Sequence, residues 1–138
     1  MGTIGNNASR AIAKAAEMGI SVAQYDMLFL KPLDKELLKE VAENFNQVIT
    51  VENGVISGGL GSAVIEYFSD NGYEDITVHR LGIPDEFITH GTVKELLEIC
   101  KLDENSILEA IIQIHNNKKK KKEFKIPLFF SKIKSISK

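Results

Sequence analysis

Two short stretches hold most of the side chains capable of chemistry in this 138-residue chain. The first is Glu52-Asn53-Gly54, followed closely by Gly58-Gly59-Leu60-Gly61-Ser62. Free amides at a helix start, beside glycines that permit close approach, could cradle an anion. Glu52 ends an apolar β-branched run, the address of a catalytic or interfacial carboxylate in an open α/β sheet. The second stretch is Gly82-Ile83-Pro84-Asp85-Glu86-Phe87, continuing to His90-Gly91. Just before a helix cap, His90 could act as an acid–base group or hold a phosphate.

Each of these has a plainer reading, and the plainer one is preferred. The glycines also suit a tight turn and close helix–sheet packing, and both the P-loop lysine and the dinucleotide-binding spacing are absent. No second carboxylate lies beside Glu52 in sequence, which favours a polar loop contact over proton chemistry. His90 more simply ties down its own loop. His79, His115 and Cys100 have no metal-ligand spacing, and Cys100 falls on an apolar helix face, where packing is the expected role. No Gly-x-Ser-x-Gly nucleophile elbow occurs. The residues alone give two polar, glycine-bearing loops on one edge and no complete active site.

Stepping strands and helices must position those loops. Asn7 to about Met18 reads as a helix stopped by Gly19, and Ser21 to Leu28 as a strand. Asp34 caps a helix whose core face is Leu37, Leu38, Val41, Ala42 and Phe45. Gln47 to Val51 reads as a fully buried strand. Ala63 to Ser69 follows as a helix with Val64, Ile65 and Phe68 inward, then Ile76 to Leu81 as a strand. Thr92 and Glu95 form a capping box, and Asp103 caps a last helix through Ile107, Leu108, Ile111 and Ile112. This alternation predicts a three-layer α/β/α domain with a mostly parallel sheet.

Composition bounds the rest. With 43% hydrophobic residues, the chain suits one core. Its single cysteine excludes a disulfide framework and points to a reducing, cytoplasmic setting. No apolar run approaches the ~20 residues of a membrane span, and the amino end does not read as a signal peptide. Residues 118–138 hold nine lysines and one acid, while the rest of the chain carries 18 acids against eight lysines and arginines. An acidic body argues against nucleic acid as a partner. The expected division is a domain over 1–116 and a mobile, lysine-rich tail over 117–138, with a membrane-surface role disfavoured by Pro127.

The ordered set Gly2-Thr3-Ile4-Gly5, Lys31-Pro32-Leu33-Asp34, Thr50-Val51-Glu52-Asn53-Gly54, Gly58-Gly59-Leu60-Gly61-Ser62 and Gly82-Ile83-Pro84-Asp85-Glu86-Phe87 resembles the carboxy-terminal domain of the 1-deoxy-D-xylulose-5-phosphate synthases. These are members of the thiamine-diphosphate-dependent transketolase family, and the similarity runs from residue 2 to about 114. The resemblance implies a transferase that condenses pyruvate with glyceraldehyde 3-phosphate, feeding isoprenoid and thiamine synthesis. It implies thiamine diphosphate and Mg2+ in the intact enzyme, the cofactor carrying the chemistry while the protein positions it. In that family the cofactor-binding and catalytic residues lie on two preceding domains, so no catalytic, cofactor-binding or metal residue is assigned here. Glu52, Asn53, Gly58, Gly59, Gly61, Ser62, Asp85, Phe87 and His90 are implied as interdomain or dimer contacts of a homodimer.

Two departures from the pattern accompany the resemblance. The family runs a central strand into the Gly-Thr-x-Gly element, and here it is cut to Met1–Ile4, as in a fragment inactive by itself. The lysine-rich tail matches nothing in the family pattern. The rival readings are the equivalent domain of a transketolase or a 2-oxo acid dehydrogenase beta subunit, and a stand-alone module binding a phosphorylated ligand.

Overall fold

A computed structural model of the chain describes residues 3–27, 32–86, 91–117 and 126–131. Helix α1 (Thr3–Glu17) leads to strand β1 (Val22–Met27), α2 (Lys35–Asn44), β2 (Gln47–Val55), α3 (Leu60–Asp70) and β3 (Thr77–Ile83). Helices α4 (Val93–Ile99) and α5 (Glu104–Asn117) follow, and then strand β4 (Ile126–Ser131). The four strands form one sheet in the order β1-β4-β2-β3, and every pairing is parallel.

Local sequence explains most element ends. In α1, Ile4, Ala8, Ala11 and Ala15 recur at helical spacing and are all buried. Gly19 adopts φ +80°, which lets the Ile20 amide donate back to the Ala15 carbonyl at 2.9 Å. The Asp34 carboxylate accepts from the Leu37 amide at 3.0 Å at the start of α2. Thr92 and Glu95 complete the expected capping box of α4. Asp103 accepts from the Ser106 amide at 3.2 Å at the start of α5.

The sheet separates two apolar layers. On one face Ile49 and Val51 of β2 pack with α1 and with Ile107, Ile111 and Ile114 of α5. Cys100 belongs to this cluster, and burial pushes its thiol pKa up, as suits a packing residue. On the other face Met27 and Val48 pack with Leu38 and Val41 of α2 and with Leu60, Val64 and Phe68 of α3. Strand β2, covered on both sides, is buried from Gln47 through Glu52, which is why it reads as a continuous apolar run rather than an alternating one.

Three expectations need correction. Thr3 and Ile4 belong to α1 and are no remnant of a strand. Ile65, expected to point inward, is exposed, because α3 begins at Leu60 rather than Ala63 and turns Leu60, Gly61, Val64 and Phe68 toward the sheet. The largest difference concerns the tail. Six residues expected outside the domain form its central strand, with Val22–Met27 on one side and Ile49–Glu52 on the other. Phe129 is fully buried in the α2–α3 layer beside Tyr25, at a ring separation of 5.6 Å. Pro127 is compatible with that position because it faces only Ala23 of β1, and pairing with β2 starts at Leu128.

Candidate functional site at the sheet rim

Because all four strands run the same way, the loops after β2 and β3 emerge on one rim, the usual working edge of such a sheet. They are joined there. The register of β2 shifts between Val51 and Val55, and the Ile56 amide donates to the Ile83 carbonyl at 2.9 Å. This folds the segment after β2 across the end of β3.

Glu52 lies at the junction and is buried, with 3% of its surface exposed. Its Oε2 accepts from the Gly61 amide at 2.8 Å, at the first turn of α3. The glycines around it make the room. A side chain at Gly59 would collide with the Glu52 carboxylate, and one at Gly82 would come within 2.9 Å of Glu52 Cγ. Burial raises the carboxyl pKa above the ordinary glutamate value, while the Gly61 amide, the Arg80 charge and the Leu60 amide oppose that rise.

Ser62 ties down the rest of the loop. Its hydroxyl donates to the Ile56 carbonyl at 3.1 Å and accepts from the Gly58 amide at 3.2 Å and from Arg80 Nη1 at 3.1 Å. Gly58 sits at φ +72°, which a side chain would strain. The stem of Arg80 crosses Gly61 so closely that an added Cβ would stand 2.5 Å from Arg80 Cγ. Arg80 escaped the sequence reading; its only signal was a lone cation in β3 at the position opposite Thr50 of β2.

The anion-receiving amides at the start of α3 are therefore engaged from within. A carboxylate of the same chain takes the place a phosphate would occupy. Structure thus unites Glu52, Gly58, Gly59, Gly61 and Ser62 in one hydrogen-bonded arrangement. Asn53 and Asp85 are exposed on the segments that follow β2 and β3. Phe87 and His90 lie outside the described residues. His79 is away from this set, its Nε2 2.8 Å from Gln47 Oε1.

The rim does not suit thiamine diphosphate or Mg2+. The glycine-lined start of α3 donates to Glu52, and no cluster of three His, Cys, Asp or Glu among the described residues could hold a metal. Among those residues, too, no helix is long and apolar enough to cross a membrane. What the arrangement offers is a braced, polar edge.

Residues 1–107 match the family model described as Transketolase, C-terminal domain, and the chain belongs to that family. More particularly, it is similar to 1-deoxy-D-xylulose-5-phosphate synthases. That of Azobacteroides pseudotrichonymphae is 50% identical over 113 residues, covering 82% of this chain and 18% of the relative. That of Bacteroides thetaiotaomicron is 51% identical over 114 residues, with the same coverage of 82% and 18%. A solved structure described as "Split gene transketolase, inactive beta4 tetramer" superposes with a TM-score of 0.72 at 35% identity, covering 81% of this chain and 36% of that one. The chain spans less than a fifth of the length of the synthases it matches.

Proposed function

We propose that this chain serves as the carboxy-terminal domain of a 1-deoxy-D-xylulose-5-phosphate synthase and takes part in the reaction as a supporting surface, without contributing a reacting group. The observation that carries this reading is the roughly 50% identity to such synthases over 113 to 114 residues, 82% of the chain. The rim is consistent with it. The one buried carboxylate among the described residues is fastened to a helix start, where it stiffens a loop rather than facing a substrate.

In this reading the preceding domains hold thiamine diphosphate and Mg2+, condense pyruvate with glyceraldehyde 3-phosphate, and act as a cytoplasmic homodimer supplying isoprenoid and thiamine synthesis. Asn53, Gly58, Gly59, Ser62 and Asp85 on the rim, together with Phe87 and His90, meet those domains or the dimer partner. Glu52 and Gly61 act from beneath by fixing the shape of that surface.

A chimera tests the proposal. Residues 3–114 replace the matching segment of the Bacteroides thetaiotaomicron synthase, and carbon dioxide release from pyruvate and glyceraldehyde 3-phosphate is measured. The chimera should turn over within about tenfold of the parent, and this chain alone should release none. Turnover by the isolated chain would overturn the non-catalytic role. An inactive but folded and dimeric chimera would overturn the assignment to this synthase.

A further inference from the structure

The family match ends at residue 107, yet the strand in the middle of the sheet is residues 126–131. The three strands inside the match are β1, β2 and β3, and the first two of these do not touch: β4 lies between them. Neighbouring strands stand about 4.8 Å apart, so a one-strand gap would leave two rows of backbone donors and acceptors unpaired inside the domain. Relatives that share β1 to β3 must therefore fill that position from outside the matched segment. They have more than four-fifths of their length in which to do so.

We infer that the channel between β1 and β2 is a strand-accepting groove, and that this chain closes it in cis with its own residues 126–131. The groove selects a parallel strand, since every pairing on both sides is parallel. It has an apolar seat on the α2–α3 side, where Phe129 is fully buried among Met27, Leu38, Val41, Val48, Leu60 and Val64. Donation within one molecule is within reach. Eight residues separate Asn117 from Ile126, and an extended chain covers about 3.3 Å per residue. The lysine run over 118–122 falls within that connecting sequence.

Hydrogen exchange on the full chain tests this. Amides of Leu128, Phe129 and Phe130 should exchange as slowly as those of Ile49–Val51, and at least 100-fold slower than amides of an unstructured peptide. Exchange of β4 at the rate of an unstructured peptide would overturn the inference. Phe129→Ala should speed exchange in β1, whose only strand neighbour among the described residues is β4, at least tenfold, and a peptide of residues 118–138 added in excess should reverse that. Unchanged β1 protection in Phe129→Ala, or equal rescue by a scrambled peptide, would count against a specific groove. Dilution over a hundredfold range should leave β4 protected. Loss of that protection together with dissociation of a dimer would show the strand comes from a second copy, and would overturn closure in cis.

Discussion

The rim and the middle of the sheet are built on opposite plans. At the rim, most contacts run between residues close in sequence: Glu52 reaches Gly61, and Ser62 reaches Ile56 and Gly58, with the bonds from Arg80 and to Ile83 as the longer links. In the middle of the sheet, β4 meets β1 across about a hundred residues of chain, pairing Phe129 with Tyr25, and the family match stops short of it. A local arrangement keeps its geometry wherever the segment goes. A distant strand is held by the tertiary structure alone, and its removal takes Phe129 out of the α2–α3 layer. The greatest cost of damage should therefore lie in the part the family does not supply.

That contrast is broken most directly at Phe129. Replacing a fully buried phenylalanine by alanine costs about 3–5 kcal/mol, out of a total stability of roughly 5–15 kcal/mol for a domain of this kind. Phe129→Ala should lower the urea midpoint by about a fifth or more. A midpoint shifted as little as by an ordinary surface substitution would mean that β4 adds nothing to the core.

At the rim the expected effect is smaller and has a distinctive signature. Glu52→Ala removes a charged acceptor from the first turn of α3, which should cost about 1.5–3 kcal/mol. Gly59→Ala drives a methyl group into the Glu52 carboxylate, with an overpacking cost of about 1–3 kcal/mol. Together the two should be clearly less than additive, because the alanine at 52 removes the obstacle to the alanine at 59. A contact with the Val55 carbonyl persists, so the coupling should not be complete. Fully additive denaturation energies would mean the glycine does not exist for the glutamate.

The same contrast governs what the sequence revealed. Caps and stops at Asp34, Gly19, Thr92 and Asp103 were legible because each is decided within five residues. The glycine loop was legible as a tight turn against the sheet, but its cause was hidden: nothing in Val48–Ser62 says that Glu52 folds back onto Gly61 rather than outward. Arg80 was hidden for the same reason, since its contact with Ser62 depends on β2–β3 register. For β4 the local signals pointed the wrong way. Pro127 and the lysine run are marks of an exposed segment, and only the open position between β1 and β2 turns Ile126–Ser131 into a strand.

A cap that is part of neither arrangement sets the scale against which they are compared. Asp34→Ala deletes one hydrogen bond, to the Leu37 amide, at the start of α2 and should cost about 1 kcal/mol. Exchange should speed up in the first turn of α2 and remain unchanged at Leu60–Ser62. A loss as large as that of Glu52→Ala would remove any claim that the rim is specially braced.

The smallest effect is the sharpest probe of Glu52, because it separates its charge from its shape. Burial holds the carboxyl pKa above the ordinary glutamate value in the folded chain, against the pull of Gly61, Arg80 and Leu60. The folded state therefore binds the proton more tightly than the unfolded state does. The resulting stability is fully present below the unfolded pKa and is lost as pH rises through the folded one. Glu52→Gln keeps an oxygen for the Gly61 amide but cannot ionise, so it escapes that loss. Its thermal midpoint relative to the unmodified chain should rise as pH is taken from about 4 to 7, with other titrating groups cancelling in the difference. A difference that stays flat or falls over that range would mean that the helix start and Arg80 outweigh burial, and that the rim holds Glu52 for its negative charge.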